Sequence, residues 1–257
     1  PLRLVGSEMC IRDRSWIDPR GNFEVTHRQL LEYTEDVVRY FQGRVHVWHA
    51  MSAVAGDNET RLTEEQRLRL AVSVIETVRR LDPRTPIVVS FDQPWGEFMT
   101  RRHYDLSPMH FADMLVRSDL GVAGLGLEIN FGFDSRATWP RDLLELNRQI
   151  DHWSSLGLPL LLFVTAPSAT GLDALASEPS VPNSRLGAVG PTTEWQKRFA
   201  EQVIPFLVSK PAVHSVIWNQ LRDEVPHDFA HAGLFDLHGA RKPAIESLAD
   251  LRKKHLT

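Results

Sequence analysis

Carboxylates and amides stand at the ends of several apolar segments of this chain. Glu128 lies at the end of the apolar run 121–129, and Asp92 with Gln93 directly follows the apolar run 86–91. A charge at such a position is costly to bury unless it is paired. Glu128 is therefore either an acid/base or ligand-binding carboxylate, or one half of a structural ion pair with an arginine of a neighbouring strand or loop.

Aromatic residues stand beside these polar groups. Asp92 and Gln93 can hydrogen-bond the hydroxyls of a ligand, and Trp95 offers a flat face on which a ring can stack, as for a pyranose if the resemblance described below holds. Alternatively, Asp92 caps the following turn and Trp95 packs beneath the loop. Trp48 and His49 end an earlier apolar run and are further candidate substrate contacts, with a hydrogen-bonded core residue as the alternative for His49. Because successive strand residues point in opposite directions, only one of these two can face the interior.

The C-terminal third carries another polar group. Asp223 and Glu224 lie on the loop that follows the apolar run 213–218, and Glu224 is an alternative to Asp92 as the second carboxylate beside Glu128. Carboxylates at different strand ends easily lie about 5–10 Å apart, the range that glycoside hydrolysis uses. The histidines and acids between 223 and 238 match no compact metal-ligand motif, so neither a metal nor another cofactor is predicted.

Helical and strand periods alternate along the chain from residue 25 onward. The predicted strands are 44–51, 86–91, 121–129, 158–165 and 213–218, and the predicted helices begin near residues 26, 63, 107, 139, 192 and 242. Thr63 and Gln66 form a capping box, and Pro108 occupies the first position of a helix. The pattern is one helix followed by five strand–helix units.

These strands predict an α/β fold with a parallel sheet. They are apolar without alternation, which is typical of strands that are buried on both faces. The strand-to-helix loops are long and polar, and the helix-to-strand turns are short, as in a barrel whose active face is its C-terminal rim. No glycine-rich nucleotide-binding motif follows a strand, which favours the barrel over an open nucleotide-binding sheet.

Composition excludes several classes of partner. The chain has 257 residues, is 42% hydrophobic and 24% charged, and carries a formal net charge of −4. Nucleic-acid binding would need a clustered basic excess, and a membrane helix would need an apolar run of about 18 residues. The sequence has neither feature, so we expect no nucleic-acid partner and no membrane association.

Several motifs resemble the family-10 glycoside hydrolases, the xylanases. The segments 216–218 (Val-Ile-Trp), 233–236 (Gly-Leu-Phe-Asp) and 239–244 (Gly-Ala-Arg-Lys-Pro-Ala) are similar to the eighth strand of that family and the start of its last helix. Segment 124–130 resembles the sixth strand, which usually reads Gly-Leu-Gln-x-His. Segment 90–93 falls where the fifth strand carries Asn-Asp-Tyr-Asn.

The resemblance implies a partial (β/α)8 TIM barrel made of about the last five βα units, with the first strands lost from the N-terminus. It implies hydrolysis of O-glycosyl bonds in a plant-type polysaccharide or oligosaccharide, and a monomer when the protein is full length. Trp218 would form the floor of a sugar subsite, with packing alone as the alternative. Asn130 replaces a histidine of the family and would hydrogen-bond the substrate.

Two departures from the family concern its catalytic positions. Ala50 stands where the resemblance puts the acid/base glutamate, and Ala166 stands where it puts the nucleophile. A retaining mechanism needs two carboxylates about 5 Å apart, and alanine supplies none. The sequence leaves two hypotheses: a hydrolase with a non-standard carboxylate pair, or an inactive barrel that binds carbohydrate.

The N-terminal segment has a separate origin in our interpretation. Residues 4–14 resemble a translated sequencing adapter, which predicts a non-native tail over 1–14 and one barrel domain over 15–257. The alternative is a native polar tail. Cys10, the single cysteine, falls within this tail, so no disulfide is predicted and no cellular location is assigned.

Overall fold

The computed structural model describes residues 22–52, 62–100, 104–133, 138–139, 141–178 and 190–255. The predicted tail 1–14, with Cys10, lies outside the described residues. The helices of the described part are α1 (Phe23–Phe41), α2 (Glu64–Leu81), α3 (Pro108–Arg117), α4 (Leu143–Ser154), α5 (Thr193–Val208) and α6 (Pro243–His255), with a 3₁₀ helix at Glu97–Thr100. The strands are β1 (Trp48–Met51), β2 (Ile87–Asp92), β3 (Val122–Asn130), β4 (Leu160–Thr165), β5 (Ala176–Glu178), β6 (Val213–Trp218) and β7 (His227–Phe229).

Five of these strands form one parallel sheet in the order β1-β2-β3-β4-β6. Each strand is joined to the next one in the sheet through a helix, which confirms the α/β class and the repeated βα units predicted from the sequence. β5 and β7 form a separate two-stranded parallel sheet, in which Ala176 pairs with His227. None of the described helices is long and apolar enough to cross a membrane.

The first compact unit comprises the described residues between 22 and 128, together with residues 152–160. One face of its sheet is apolar: Phe91 pairs in register with Leu127 and lies 6.1 Å from the ring of Phe111 in α3. Trp153, at the end of α4, lies 5.3 Å from Phe91 on the same face. The side chains that alternate with Phe91 along β2, Ser90 and Asp92, therefore point to the opposite face.

The second compact unit comprises the described residues between 129 and 151 and between 161 and 255. Ala200 of α5 and Ala244 of α6 are fully buried and form a core cluster with Leu234, against which Trp218 packs. Gln196 of α5 is also fully buried, and its Nε2 donates to the carbonyl of Ala166 at 2.9 Å. This amide ties α5 to the segment that follows β4.

The helix starts follow local capping, and some differ from the predictions. The capping box of Thr63 and Gln66 is confirmed at the start of α2. α1 begins one turn earlier than predicted, because the side chain of Asn22 accepts a hydrogen bond from the Glu24 amide at 2.8 Å. α4 begins later than predicted, at Leu143, because the side chain of Asp142 accepts from the Glu145 amide at 2.8 Å.

Two segments of the sheets also differ from the predictions. β1 is four residues long, Trp48–Met51, where the sequence pattern predicted 44–51. β5 lies inside the segment 167–191, which the pattern predicted to be a loop throughout. Its three residues are held by pairing with β7. This strand therefore depends on a distant segment and not on a local pattern of apolar residues.

Candidate functional site

Polar side chains meet on one face of the first unit's sheet. Ser90 pairs in register with Gly126, and Asp92 pairs with Glu128. Paired residues of parallel strands point to the same face, so the polar positions of β2 and β3 coincide. We call His49, Ser90, Asp92 and Glu128 the strand-end cluster.

A chain of hydrogen bonds links three members of the strand-end cluster. The Ser90 hydroxyl donates to Glu128 Oε1 at 2.5 Å, and Ser90 Oγ lies 2.8 Å from His49 Nε2. Gly126, which has no side chain, is the residue of β3 that pairs with Ser90. Ser90 is fully buried and Glu128 is 5% exposed. Glu128 is thus held by a hydroxyl that the sequence reasoning had not considered.

The electrostatic setting of His49 favours its neutral form. Burial lowers the pKa of the His49 imidazole, while the charge of Glu128 and a hydrogen bond to the backbone of Met51 act in the opposite direction. The net direction is downward because burial dominates.

Asp92 and Glu128 occupy neighbouring positions at the ends of their strands. Adjacent strands lie about 4.8 Å apart, and both carboxylates project from the same face. The two carboxylates therefore lie on the same face at neighbouring strand ends. Asp92 is 3% exposed.

The loop after β2 turns sharply next to Asp92. Gln93 has a φ of 46° and Gly96 a φ of 78°, and the Gly96 amide donates to the Gln93 carbonyl at 2.7 Å. Gln93 is buried, whereas Trp95 is half-buried. The indole of Trp153 donates to the Pro94 carbonyl at 3.4 Å, which fixes this turn on the apolar side of the unit.

Trp48 lies apart from the strand-end cluster. It pairs with Ile87, whereas His49 pairs with Val88, so the two side chains point to opposite faces as alternation predicts. The Trp48 indole donates to Asp82 Oδ2 at 2.9 Å, at the end of α2. Burial raises the pKa of Asp82, but hydrogen bonds from Thr85 and Trp48 outweigh it and hold the pKa below its usual range.

Two predicted sugar contacts lie at strand ends of the second unit. Asn130 ends β3 and is fully buried, and its Oδ1 accepts from Asn219 Nδ2 at 3.4 Å. Trp218 ends β6 and is half-buried, and its indole donates to the Ala232 carbonyl at 2.9 Å. This hydrogen bond and the packing of Trp218 on the core cluster give the residue a structural role.

Asp223 takes part in a buried ion pair. Lys242 Nζ lies 2.5 Å from Asp223 Oδ2, with side-chain exposures of 5% and 2%. Asp223 Oδ1 also accepts from Gln220 Nε2 at 2.9 Å and from the Gly233 amide at 2.7 Å. Burial lowers the pKa of Lys242, and Asp223 opposes this effect. Three donors therefore hold Asp223, the residue that the sequence suggested for sugar binding.

Glu224 has a different environment. It forms an ion pair with Arg222, and its side chain is 30% exposed. A Cβ at Gly239 would come within 3.1 Å of Glu224 Oε2, so the glycine gives this carboxylate room.

Sequence reasoning missed Ser90 and Asp173. Ser90 was visible as the single polar residue between Ile87 and Phe91, two positions before Asp92 and hence on its face. Asp173 had no such signal, since it lies in a long loop. Its Oδ2 lies 3.1 Å from His227 Nε2 and accepts from the His231 amide at 3.0 Å. The described residues contain no group of three histidines, cysteines or acids that could hold a metal ion.

Solved xylanases share this arrangement of strands and helices. Xylanase 10B from Thermotoga maritima superposes with a TM-score of 0.60 at 14% identity, over 95% of this chain and 70% of that one. Xylanase 10B from Thermotoga petrophila RKU-1, solved with xylobiose, gives 0.59 at 15% identity over 96% and 70%. An endo-1,4-beta-xylanase from Caldicellulosiruptor owensensis gives 0.58 at 18% identity over 93% and 72%.

The fold is a partial (β/α)8 barrel of the xylanase type. At these identities the likeness concerns the fold alone. No protein-family profile and no curated protein matches the sequence significantly. Ala50, in β1, is 3% exposed, and Ala166, directly after β4, is fully buried. Both alanines thus stand at or beside the end of a strand of this barrel.

Proposed function

We propose that this barrel hydrolyses an O-glycosidic bond of a plant-type polysaccharide or oligosaccharide, with Glu128 and Asp92 as its carboxylate pair. The observation that carries the proposal is the register of β2 and β3, which pairs Asp92 with Glu128 on one face at the strand ends. Active sites of such barrels are built at the carboxyl ends of the strands. The likeness to xylanases supports carbohydrate as the substrate class.

The environments of the two carboxylates suggest their roles. Glu128 is bonded through Ser90 to a histidine, so it is the better candidate for the acid/base. Asp92 is then the nucleophile. Gln93 and Trp95, which follow Asp92 directly, are the proposed contacts to the sugar hydroxyls and the ring face.

The proposed reaction has two steps and retains the anomeric configuration. In the first, protonated Glu128 gives its proton to the glycosidic oxygen as the bond from that oxygen to the anomeric carbon breaks, and the Asp92 carboxylate bonds to that carbon. In the second, Glu128 takes a proton from water, the water oxygen bonds to the anomeric carbon, and the bond to Asp92 breaks.

This pair would replace the one that the resemblance puts at Ala50 and Ala166. Glu224 stays the predicted alternative partner. Asn130, Trp218 and Asp223 stay predicted sugar contacts of the second unit, although Asp223 is the least suited because Lys242 and two further donors already engage it.

A second candidate function is a barrel that binds carbohydrate without cleaving it. The burial of both carboxylates favours it, since Asp92 is 3% exposed and Glu128 is 5% exposed. Such groups can also serve as fixed hydrogen-bond acceptors for sugar hydroxyls.

The test measures hydrolysis of aryl xylosides, aryl glucosides and xylo-oligosaccharides, with binding measured in parallel by calorimetry. Glu128→Gln should lower kcat/KM by at least about 100-fold, because proton transfer by a positioned side chain contributes that much or more. Glu224→Gln examines the alternative partner, and Glu35→Gln, on the surface of α1, is the matched control. Binding without turnover would support the second candidate. Hydrolysis that persists in Glu128→Gln would overturn the assignment of Glu128.

A further inference from the structure

Two amide side chains of the second unit meet across the end of a strand. Asn130 ends β3, and Asn219 directly follows β6. β4 lies between these two strands in the sheet. Asn219 Nδ2 nevertheless donates to Asn130 Oδ1 at 3.4 Å, so the two side chains span the end of β4. We call Asn130 and Asn219 the amide pair.

The backbone holds both members of the amide pair in place. The Asn219 amide donates to the Val164 carbonyl at 3.0 Å. The amide of Phe131, the residue after Asn130, donates to the Thr165 carbonyl at 3.0 Å. Both strand ends are thus bonded to the last two residues of β4. The amide pair therefore lies at the carboxyl ends of the strands, where barrels of this type build their sites.

One bond of the amide pair is made and the other is not. Two amides that face each other can form two hydrogen bonds, because each has an N–H donor and a carbonyl acceptor. Asn219 donates to Asn130, but within the part of the chain that the structure describes no group accepts from Asn130 Nδ2. Asn130 is fully buried, and a buried donor without an acceptor is costly.

The same strand end holds a second buried polar group of this kind. The amide of Thr138 donates to the Asn130 carbonyl at 2.9 Å, and Thr138 is fully buried. Its hydroxyl likewise has no hydrogen-bond partner among the described residues. Buried polar groups of native proteins are nearly always hydrogen-bonded. Two such groups at one strand end therefore indicate that another molecule supplies the partner.

Asn219 gives the amide pair access to solvent. It is exposed, whereas Asn130 is fully buried. Its bond to Asn130, at 3.4 Å, is longer than an ordinary N–H···O bond, and exposed side chains change rotamer rapidly. A shift of the Asn219 side chain therefore opens the pair and admits a ligand group between the two amides.

A hydroxyl is the ligand group that completes the amide pair. It accepts from Asn130 Nδ2 and donates to Asn219 Oδ1 at the same time. If both amides were turned over, so that nitrogen and oxygen exchanged places, the hydroxyl would reverse its two bonds and still bridge them. A carboxylate only accepts and an ammonium only donates, so neither completes the pair.

We propose that the amide pair binds one hydroxyl group of a carbohydrate, with Asn219 as a specificity-determining residue beside Asn130. That the hydroxyl belongs to a carbohydrate rests on the proposed function, whereas the amides themselves require only a hydroxyl. Neither amide ionises near neutral pH, so the pair contributes to binding and not to proton transfer.

NMR of the wild-type protein tests the proposal without requiring turnover. With asparagine labelled by ¹⁵N, the side-chain signals of Asn130 and Asn219 should shift together when xylotriose or cellotriose is added. Asn219→Leu keeps a side chain of similar size but removes the amide, and it should raise the Kd of the trisaccharide at least about 10-fold in calorimetry. The matched control is Asn147→Leu, which removes an amide that bonds Asp151 within α4 and should leave the Kd unchanged.

Two results would overturn the proposal. The first is that neither trisaccharide moves the signals of Asn130 and Asn219, which would assign a bound water as the partner of Asn130. The second is a Kd that stays the same in Asn219→Leu. Binding through the amide pair in a protein that hydrolyses no glycoside would contradict only the proposed reaction. Hydrolysis that Glu128→Gln abolishes, with an unchanged Kd in Asn219→Leu, would contradict only this inference.

Discussion

Replacing Lys242 with methionine should destabilise the second unit more than any single surface change. Lys242 Nζ contacts Asp223 Oδ2 at 2.5 Å and also donates to Ser168 Oγ at 2.8 Å and to the His231 carbonyl at 3.1 Å. Methionine fills a similar volume but donates to none of them. Asp223 would then lose its counter-ion in a site where its side chain is 2% exposed.

The expected loss is about 3–5 kcal/mol in the free energy of unfolding, the usual cost of removing one partner of a buried ion pair. Asp223→Asn should also destabilise, because it leaves the Lys242 ammonium buried without its counter-ion. The double variant should recover part of the loss, with a coupling energy of about 0.5–3 kcal/mol, since no uncompensated charge remains.

Urea unfolding followed by circular dichroism measures these differences as shifts in the midpoint urea concentration, provided that the slope of unfolding free energy against urea is unchanged. The matched control is Arg69→Met, which breaks a surface pair with Glu24 whose side chains are 51% and 61% exposed. That change should cost at most about 1 kcal/mol. If Lys242→Met cost no more than Arg69→Met, the stabilising role of the buried pair would be refuted.

Two further predictions concern stability. Trp48→Phe leaves the Asp82 carboxylate without its indole donor and should cost about 1–3 kcal/mol of unfolding free energy; a loss below about 0.5 kcal/mol in urea would contradict the contact. Burial raises the pKa of Asp173, but bonds from the His231 and Leu175 amides and from His227 outweigh it and hold the pKa below its usual range. The stabilisation is therefore present above the pKa of Asp173 in the unfolded state, about 3.9, and is lost as the pH falls through its pKa in the folded state. Asp173→Asn should therefore make the unfolding free energy fall less steeply at acidic pH. If the unfolding free energy of Asp173→Asn fell with decreasing pH as steeply as that of the wild type, this contribution would be disproved.

The sequence predicted the elements that carry the site because their signals are local. Apolar runs without alternation predict buried parallel strands, and Asp92 and Glu128 fall at the ends of two of them. Parallel strands joined by helices have their carboxyl ends at the same edge, so a polar group at that edge could be predicted from the sequence alone.

The partners of these residues could not be predicted, because they depend on register. The bond from Ser90 to Glu128 requires that Ser90 pair with Gly126, and a slip of one residue would turn every side chain of β2 to the other face. The position of Trp48 depends on register in the same way. Because Trp48 pairs with Ile87, its side chain points away from the strand-end cluster.

Contacts between loops are a second limit. Asp223 and Lys242 are 19 residues apart and meet through irregular segments. β5 forms only because a segment about 50 residues away pairs with it. Neither contact produces a periodic pattern of residue types in the sequence. The N-terminal caps of α2 and α5, in contrast, depend on neighbouring residues and were predicted correctly.

The central claim is that Asp92 and Glu128 form a working carboxylate pair, and covalent trapping tests it most directly. A 2-deoxy-2-fluoro xyloside with a good leaving group slows the breakdown of a glycosyl-enzyme, so the adduct can be located by mass spectrometry of peptides. The proposed roles predict one adduct, on Asp92, that fails to form in Asp92→Asn. An adduct on Glu224, or steady hydrolysis without any adduct on Asp92, would contradict them.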